Sequence, residues 1–288
     1  MKAVIWGSAG QDGYYLGKLL EAKGIEVIGI SRSYPATFID ITSINAVSSL
    51  IKQEKPDYVF DFAANSTTRH EVWAENHQTI ATGSLNLLEA VKVHSPGTRL
   101  FLSGSGLQFH NDGTPISEDT PFDATSMYAA SRIYTTYAAR YYRTLGVNVY
   151  MGYFFTHDSP LRSERHVNKK IADTAQRIAS GNKEYLEIGD VTVRKEFGFA
   201  GDIVKAVWTL VNQETVTEAV IGTGRSYAIA DWLQICFSRF GLNWQEHIRI
   251  REGFKAEYPV LVSNPARIFG LGWRPETTIE ELANLMSA

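Results

Sequence analysis

A tyrosine and an arginine stand four residues apart in "TSMYAASRIYTTYAARYYR", Tyr128 and Arg132. On a helix that spacing puts both side chains on one face. A phenol ionises near pH 10, so a tyrosine that relays protons at neutral pH needs a cation beside it. Arginine keeps the charge that a lysine would bring, but it is larger, planar and never gives up its proton. The pair points to proton transfer, less well tuned than with lysine. Tyr134, Tyr137 and Tyr141 follow on the same stretch. For these three the simpler reading is an aromatic stripe packed on the core or on a partner helix.

A second constellation is "GSAGQDG", in which Gly7, Gly10 and Gly13 enclose Gln11 and Asp12. Glycines between a strand and a helix permit a tight turn and let backbone N–H groups approach a pyrophosphate at the positive helix end. The spacing GxxGxxG alone would mark only a turn. Placed after an N-terminal strand and before a helix, it reads as dinucleotide binding. The next apolar run ends in "IGISRS", where an NAD site would carry an acidic residue for the ribose hydroxyls. Arg32 and Ser33 suit a 2′-phosphate instead, which favours NADP over NAD. Asp40 and Ile41 in "FIDIT" fall near the adenine edge. Ala63 closes the third run beside the cofactor, and Asn65 and Ser66 follow it toward cofactor or substrate.

The elements that must position these groups are short apolar runs at 2–7, 26–31, 58–63, 99–104 and 148–154, separated by amphipathic stretches at 14–24, 44–55 and 82–94. Such alternation implies a parallel sheet covered by helices on both faces. The expected fold is α/β, a Rossmann-type doubly wound parallel sheet with a second, smaller α/β substrate-binding domain. After about position 156 the pattern becomes polar and basic, so the division is interleaved. Residues 1–156 with about 197–228 form the dinucleotide domain, and about 157–196 with 229–288 form the substrate domain. The "KEFGFAGDIVKAVWTLV" stretch (195–211) is expected to be a helix returning to the main sheet.

The chain has 288 residues and a formal net charge of −3, from 28 basic and 31 acidic side chains. Nothing in that balance suggests a nucleic-acid partner. No apolar run is long enough to span a membrane, and the lone Cys236 lies in an apolar pattern, so a cytoplasmic protein without disulfides is expected. His157 and His166 lack a third ligand at metal spacing, and no metal is expected.

The stretches "GSAGQDGYYLGKLLEAKGIEVIGISRS", "TPFDATSMYAASRIYTTYAARYYRTLGVNVYMGYFFTHDSPLR", "VNKKIA", "VRKEFGFAGDIVKAVW" and "LGWRPE" resemble the extended short-chain dehydrogenase/reductases, specifically the GDP-mannose 4,6-dehydratase group. The resemblance runs over nearly the whole chain. It implies a nicotinamide in the large domain, a nucleotide-diphosphate sugar (a GDP-hexose) in the small one, and a homodimer or higher homo-oligomer. It implies that Tyr128 exchanges the proton of a sugar hydroxyl. For the diphosphate it points to Arg162, Lys170 and Arg194, with His157 and Ser66 also toward the substrate. Phe254 stands where the group has an arginine, and Arg251 or Lys255 would compensate.

One departure bears on the reaction. Dehydratases of this group carry Ser-Thr-Ser-Glu at the end of the fourth strand, and this chain reads Ser103, Gly104, Ser105, Gly106. The threonine and the glutamate that exchanges protons during elimination are missing. Ser103 and Ser105 remain to orient a substrate hydroxyl, and the two glycines are expected to open space for a bulkier sugar. Three readings follow, in this order. The first is hydride transfer at one sugar carbon without elimination. The second is a silent relative that binds NADP or nucleotide sugar, and the third is a dehydratase with rearranged groups.

Overall fold

A computed structural model describes residues 1–65 and 67–287. Its first part alternates strand and helix: β1 (Lys2–Trp6), α1 (Gln11–Ala22), β2 (Glu26–Ile30), α2 (Ile44–Glu54), β3 (Tyr58–Asp61), α3 (Trp73–His77), α4 (Gly83–His94), β4 (Arg99–Ser105), α5 (Met127–Thr144) and β5 (Val149–Phe154). The second part has shorter elements: β6 (His157–Asp158), α6 (Val167–Ala179), β7 (Leu186–Ile188), β8 (Arg194–Glu196), β9 (Gly198–Phe199) and α7 (Ala200–Val211). It ends with β10 (Glu218–Ile221), β11 (Ser226–Ala228), α8 (Ile229–Ser238), β12 (Ile248–Ile250), β13 (Val260–Leu261), α9 (Ala266–Gly270) and α10 (Ile279–Met286).

Six strands form one sheet in the order β10-β5-β4-β3-β1-β2, every pair parallel. The chain leaves β1 for β2 on one side and returns to the other side for β3, β4 and β5. The carboxyl ends of β1 and β3 therefore flank the switch point where such sheets bind ligands. Alternation along β1 shows why both faces are covered. Ala3 and Ile5 face Leu16 and Leu20 of α1 and Val204, Val207 and Leu210 of α7. Val4 and Trp6 face Val47 and Ile51 of α2 and Leu87, Leu88 and Val91 of α4. Each fully buried aliphatic side chain contributes about 1.5–3 kcal/mol. A third apolar cluster joins Ile171 and Ala175 of α6, Trp232 and Leu233 of α8, Leu282 of α10 and Leu186 of β7.

Two expectations need correction. The 195–211 stretch is helical only from Ala200, because Arg194–Glu196 pairs with β11 and β13. There Glu196 is buried as an acceptor for the backbone N–H groups of Thr223 and Ser263. The tyrosine stripe does not enter the core, since Tyr134, Tyr137 and Tyr141 are 45%, 57% and 60% exposed. Among the described residues no helix is long and apolar enough to cross a membrane.

Candidate active site

The loop between β1 and α1 needs its glycines. Gly7 has φ +79°, and a Cβ there would lie 2.8 Å from the Phe62 carbonyl carbon. At Gly13 a Cβ would collide with the Gly7 carbonyl. No side chain caps the first turn of α1, so its N–H groups stay available to a phosphate. Beside this loop lies a cavity of about 460 Å³ lined by Gly7, Gly10, Arg32, Ser33, Asp40, Ile41 and Ala63. These expected cofactor residues are thus brought together.

Gln11 and Asp12 point elsewhere. Gln11 is buried, its Nε2 donating to the His157 carbonyl at 3.1 Å and its Oε1 accepting from Ser159 Oγ at 3.1 Å. Asp12 Oδ1 lies 2.8 Å from His157 Nε2, and His157 Nδ1 lies 2.8 Å from the Phe155 carbonyl. "GQDG" and "HDSP" are therefore two halves of one tie between the glycine loop and the end of β5. Burial opposes charge on both partners, yet the pairing outweighs it. It holds His157 above its ordinary pKa and Asp12 below the usual carboxylate range. Arg32 is also committed in part, its Nη1 lying 2.7 Å from Glu75 Oε1 on the surface.

A second cavity, of about 320 Å³, meets the first at Phe62 and is lined by Ser103, Ser105, Tyr128, Arg132, His157 and Arg162 among others. Ser126 caps α5, its Oγ accepting from Ala129 N at 3.1 Å, and so Tyr128 and Arg132 sit on the first two turns. The Arg132 guanidinium carbon lies 5.3 Å from the centre of the Tyr128 ring. Arg132 Nη1 donates to the Ser103 carbonyl and to Ser103 Oγ, the latter at 3.0 Å, while its buried Nε has no partner. Ser105 Oγ accepts from Leu107 N at 3.2 Å, and among the described residues its own hydroxyl proton has no acceptor. Asp61, at the end of β3, was not anticipated. Burial pushes its carboxyl up to about 6, against the Ala63 N–H, the charge of Arg132 and the Ser84 hydroxyl.

The glycines of the β4 end do not open space. A Cβ on Gly104 would lie 2.6 Å from the Tyr153 ring, and one on Gly106 would lie 2.8 Å from the Phe155 ring. Both rings are buried on or beside the neighbouring β5. Tyr153 is held there by its hydroxyl, which donates to Glu218 Oε2 at 2.7 Å, and Glu218 also receives Arg140 and Arg143 of α5. Aromatic rings thus occupy the room that a threonine and a glutamate would need.

At the other end of the second cavity stand Arg162, His166 and Lys195. Arg162 Nε lies 3.4 Å from Asp158 Oδ1 without a hydrogen bond, and Arg162 Nη2 donates to His166 Nδ1 at 3.1 Å. Burial, aided by Arg162, pushes His166 down to about 4, so it accepts that bond as a neutral ring. Burial likewise pulls Lys195 down to about 8. Lys170, Arg194 and Lys255 are exposed and do not line the cavity; Arg194 Nη2 instead donates to the Ser226 carbonyl at 2.8 Å. In β8, side chains alternate, so when Lys195 faces in Arg194 faces out. The sequence shows the alternation but not its phase. Ser66 lies outside the described residues. Nearby, Thr68 Oγ1 donates to Glu257 Oε2 at 3.2 Å at the cavity, joining a loop after β3 to the loop before β13.

The sites fit a nicotinamide dinucleotide. The glycine cradle, the uncapped α1 and the unpartnered Arg132 Nε lie along two joined cavities. Solved structures share the fold. UDP-glucose 4-epimerase of Thermus thermophilus superposes with a TM-score of 0.85 at 21% identity, covering 100% of this chain and 98% of that one. RMD of Pseudomonas aeruginosa gives 0.86 at 22%, covering 99% and 96%. By sequence, GDP-mannose 4,6 dehydratase 2 of Arabidopsis thaliana is 31% identical over 317 aligned positions, covering 99% of this chain and 85% of the relative. The GDP-mannose 4,6-dehydratase of Vibrio cholerae is 28% identical, covering 98% and 91%. Residues 34–286 match the family described as GDP-mannose 4,6 dehydratase, and the chain belongs to that family.

Proposed function

We propose that the protein is an NADP-dependent oxidoreductase that moves hydride to or from one carbon of a nucleotide-diphosphate sugar, a GDP-hexose, without eliminating water. The observation that carries this reading is the filled space at Gly104 and Gly106 beside a retained Tyr128. Elimination needs a positioned acid and base, each worth about 10²–10⁴-fold. Tyr153 and Phe155 supply neither at those positions. The nicotinamide, when bound, accepts or donates hydride. Tyr128 takes the sugar hydroxyl's proton during oxidation or returns it during reduction, with the Arg132 cation beside its ring. The free hydroxyl proton of Ser105 can be donated to the same sugar oxygen. Arg162 and Lys195 suit the diphosphate, a role better supported for Lys195 than for exposed Lys170, Arg194 or Lys255.

Support for NADP is Arg32 at the cavity edge, together with the NADPH carried by the Pseudomonas relative of the fold; the Thermus epimerase carries NAD. The cluster around α6, α8 and α10 supports a substrate unit formed by about 157–196 with 229–288. The buried free thiol of Cys236 suits a reducing, cytoplasmic setting. A second reading, a silent binding protein, is favoured by the engagement of Arg132 with Ser103. Stereospecifically deuterated NADPH offered with a panel of 4-keto GDP-sugars separates the two. Deuterium transferred to the sugar, and lost at least 100-fold in Tyr128→Phe while NADPH binding persists, supports the oxidoreductase. NADPH binding without transfer across the panel supports the silent protein.

A further inference from the structure

Arg32 lines the first cavity, yet its guanidinium is already held by a carboxylate from a distant part of the chain. Arg32 Nη1 and Glu75 Oε1 are 2.7 Å apart, with side chains 69% and 42% exposed. Glu75 belongs to α3, one turn before Thr79, which itself lines that cavity. The carboxylate that lines the cavity, Asp40, is engaged by Thr42, whose N and Oγ1 both donate to Oδ1 at 2.9 Å. Glu75 is thus the acid that competes for Arg32 at this edge.

Resting on the NADP reading above, we propose that Glu75 is a specificity-determining residue that limits the preference for NADP over NAD by holding Arg32. An exposed ion pair is weak, so a 2′-phosphate can displace the carboxylate, and the carboxylate left nearby then repels that phosphate. NAD, with a hydroxyl at the same place, meets neither cost. Glu75 therefore tempers a site that Arg32 alone would tilt further toward NADP.

The test is titration of the full chain with NADPH and with NADH, by calorimetry, for wild type, Glu75→Gln, Arg32→Gln and the double variant. Glu75→Gln is expected to tighten NADPH about three- to tenfold and leave NADH within about twofold. In the Arg32→Gln background the gain for NADPH should be smaller than in wild type, because only the direct repulsion of the 2′-phosphate is then relieved. Equal tightening of both nucleotides, or none for NADPH, overturns the role of Glu75. The NADP reading fails separately if Arg32→Gln leaves NADPH affinity unchanged; loss of NADPH affinity in Arg32→Gln with no gain in Glu75→Gln overturns this inference alone.

Discussion

Gly106 shows most sharply how one residue limits the chemistry. Gly106→Glu restores the family's carboxylate in name, but its Cβ meets the Phe155 ring. Overpacking of that kind costs about 1–3 kcal/mol. The variant is expected to melt lower than wild type and still release no water from a GDP-hexose; unchanged melting with new dehydratase turnover would show the space to be free. Lys195 gives a second test. Its buried ammonium titrates at about 8, so GDP-sugar affinity should be strongest below that pH and weaken as pH rises through it. Lys195→Met should bind at least tenfold more weakly at pH 7 and lose that dependence, as read by calorimetry; an identical pH profile would remove Lys195 from the diphosphate site. The placement of Tyr128, Arg132 and the glycine loop was legible because helical spacing and a strand-to-helix turn fix where they sit. Lys195 and Asp61 were not, since inward orientation depends on strand phase and on what packs opposite.

At the scale of elements, the tie between the α1 loop and the end of β5 joins parts of the chain 145 residues apart. The sequence displayed "GQDG" and "HDSP" as separate motifs, and Gln11 and Asp12 were legible there only as cofactor residues. Their partnership with His157 is a tertiary contact that no local pattern encodes. His157 has its pKa raised, so its contribution is full below about pH 6.5, its unfolded value, and is lost as pH rises through the folded value. Asp12 has its pKa lowered, so its contribution is present above about pH 4 and is lost as pH falls through the folded value. The difference in melting temperature between wild type and His157→Gln should be greatest between about pH 4 and 6.5 and shrink on the alkaline side. A constant difference from pH 5 to 9 would contradict the ion pair. The strands β1 to β5 were readable to within a residue or two because each is a short apolar run, whereas β10 of the same sheet was not read and the 194–199 strands hid inside a helix-like pattern.

For the whole molecule, the parallel sheet was legible from strand and helix alternation, whereas the tyrosine stripe was legible only as a choice between the core and a partner helix. We propose that Tyr134, Tyr137 and Tyr141 face a second copy of the chain across α5. Wild type should then sediment as a dimer and the Tyr137→Glu/Tyr141→Glu double variant as a monomer; a monomeric wild type would refute this. Such an assembly would leave the joined cavities open, because they lie at the carboxyl ends of β1, β3, β4 and β5 and none of the three tyrosines lines them. What those cavities do is the central claim, and mass spectrometry of sugar products formed in deuterated water tests it most directly. With NADP(H) and GDP-hexoses or their keto forms, the account predicts a change of two hydrogens at one hydroxyl or keto group, one on carbon and one on its oxygen, no loss of water and no solvent deuterium at carbon five. A product lighter by one water and carrying deuterium at carbon five would contradict it and restore the dehydratase reading.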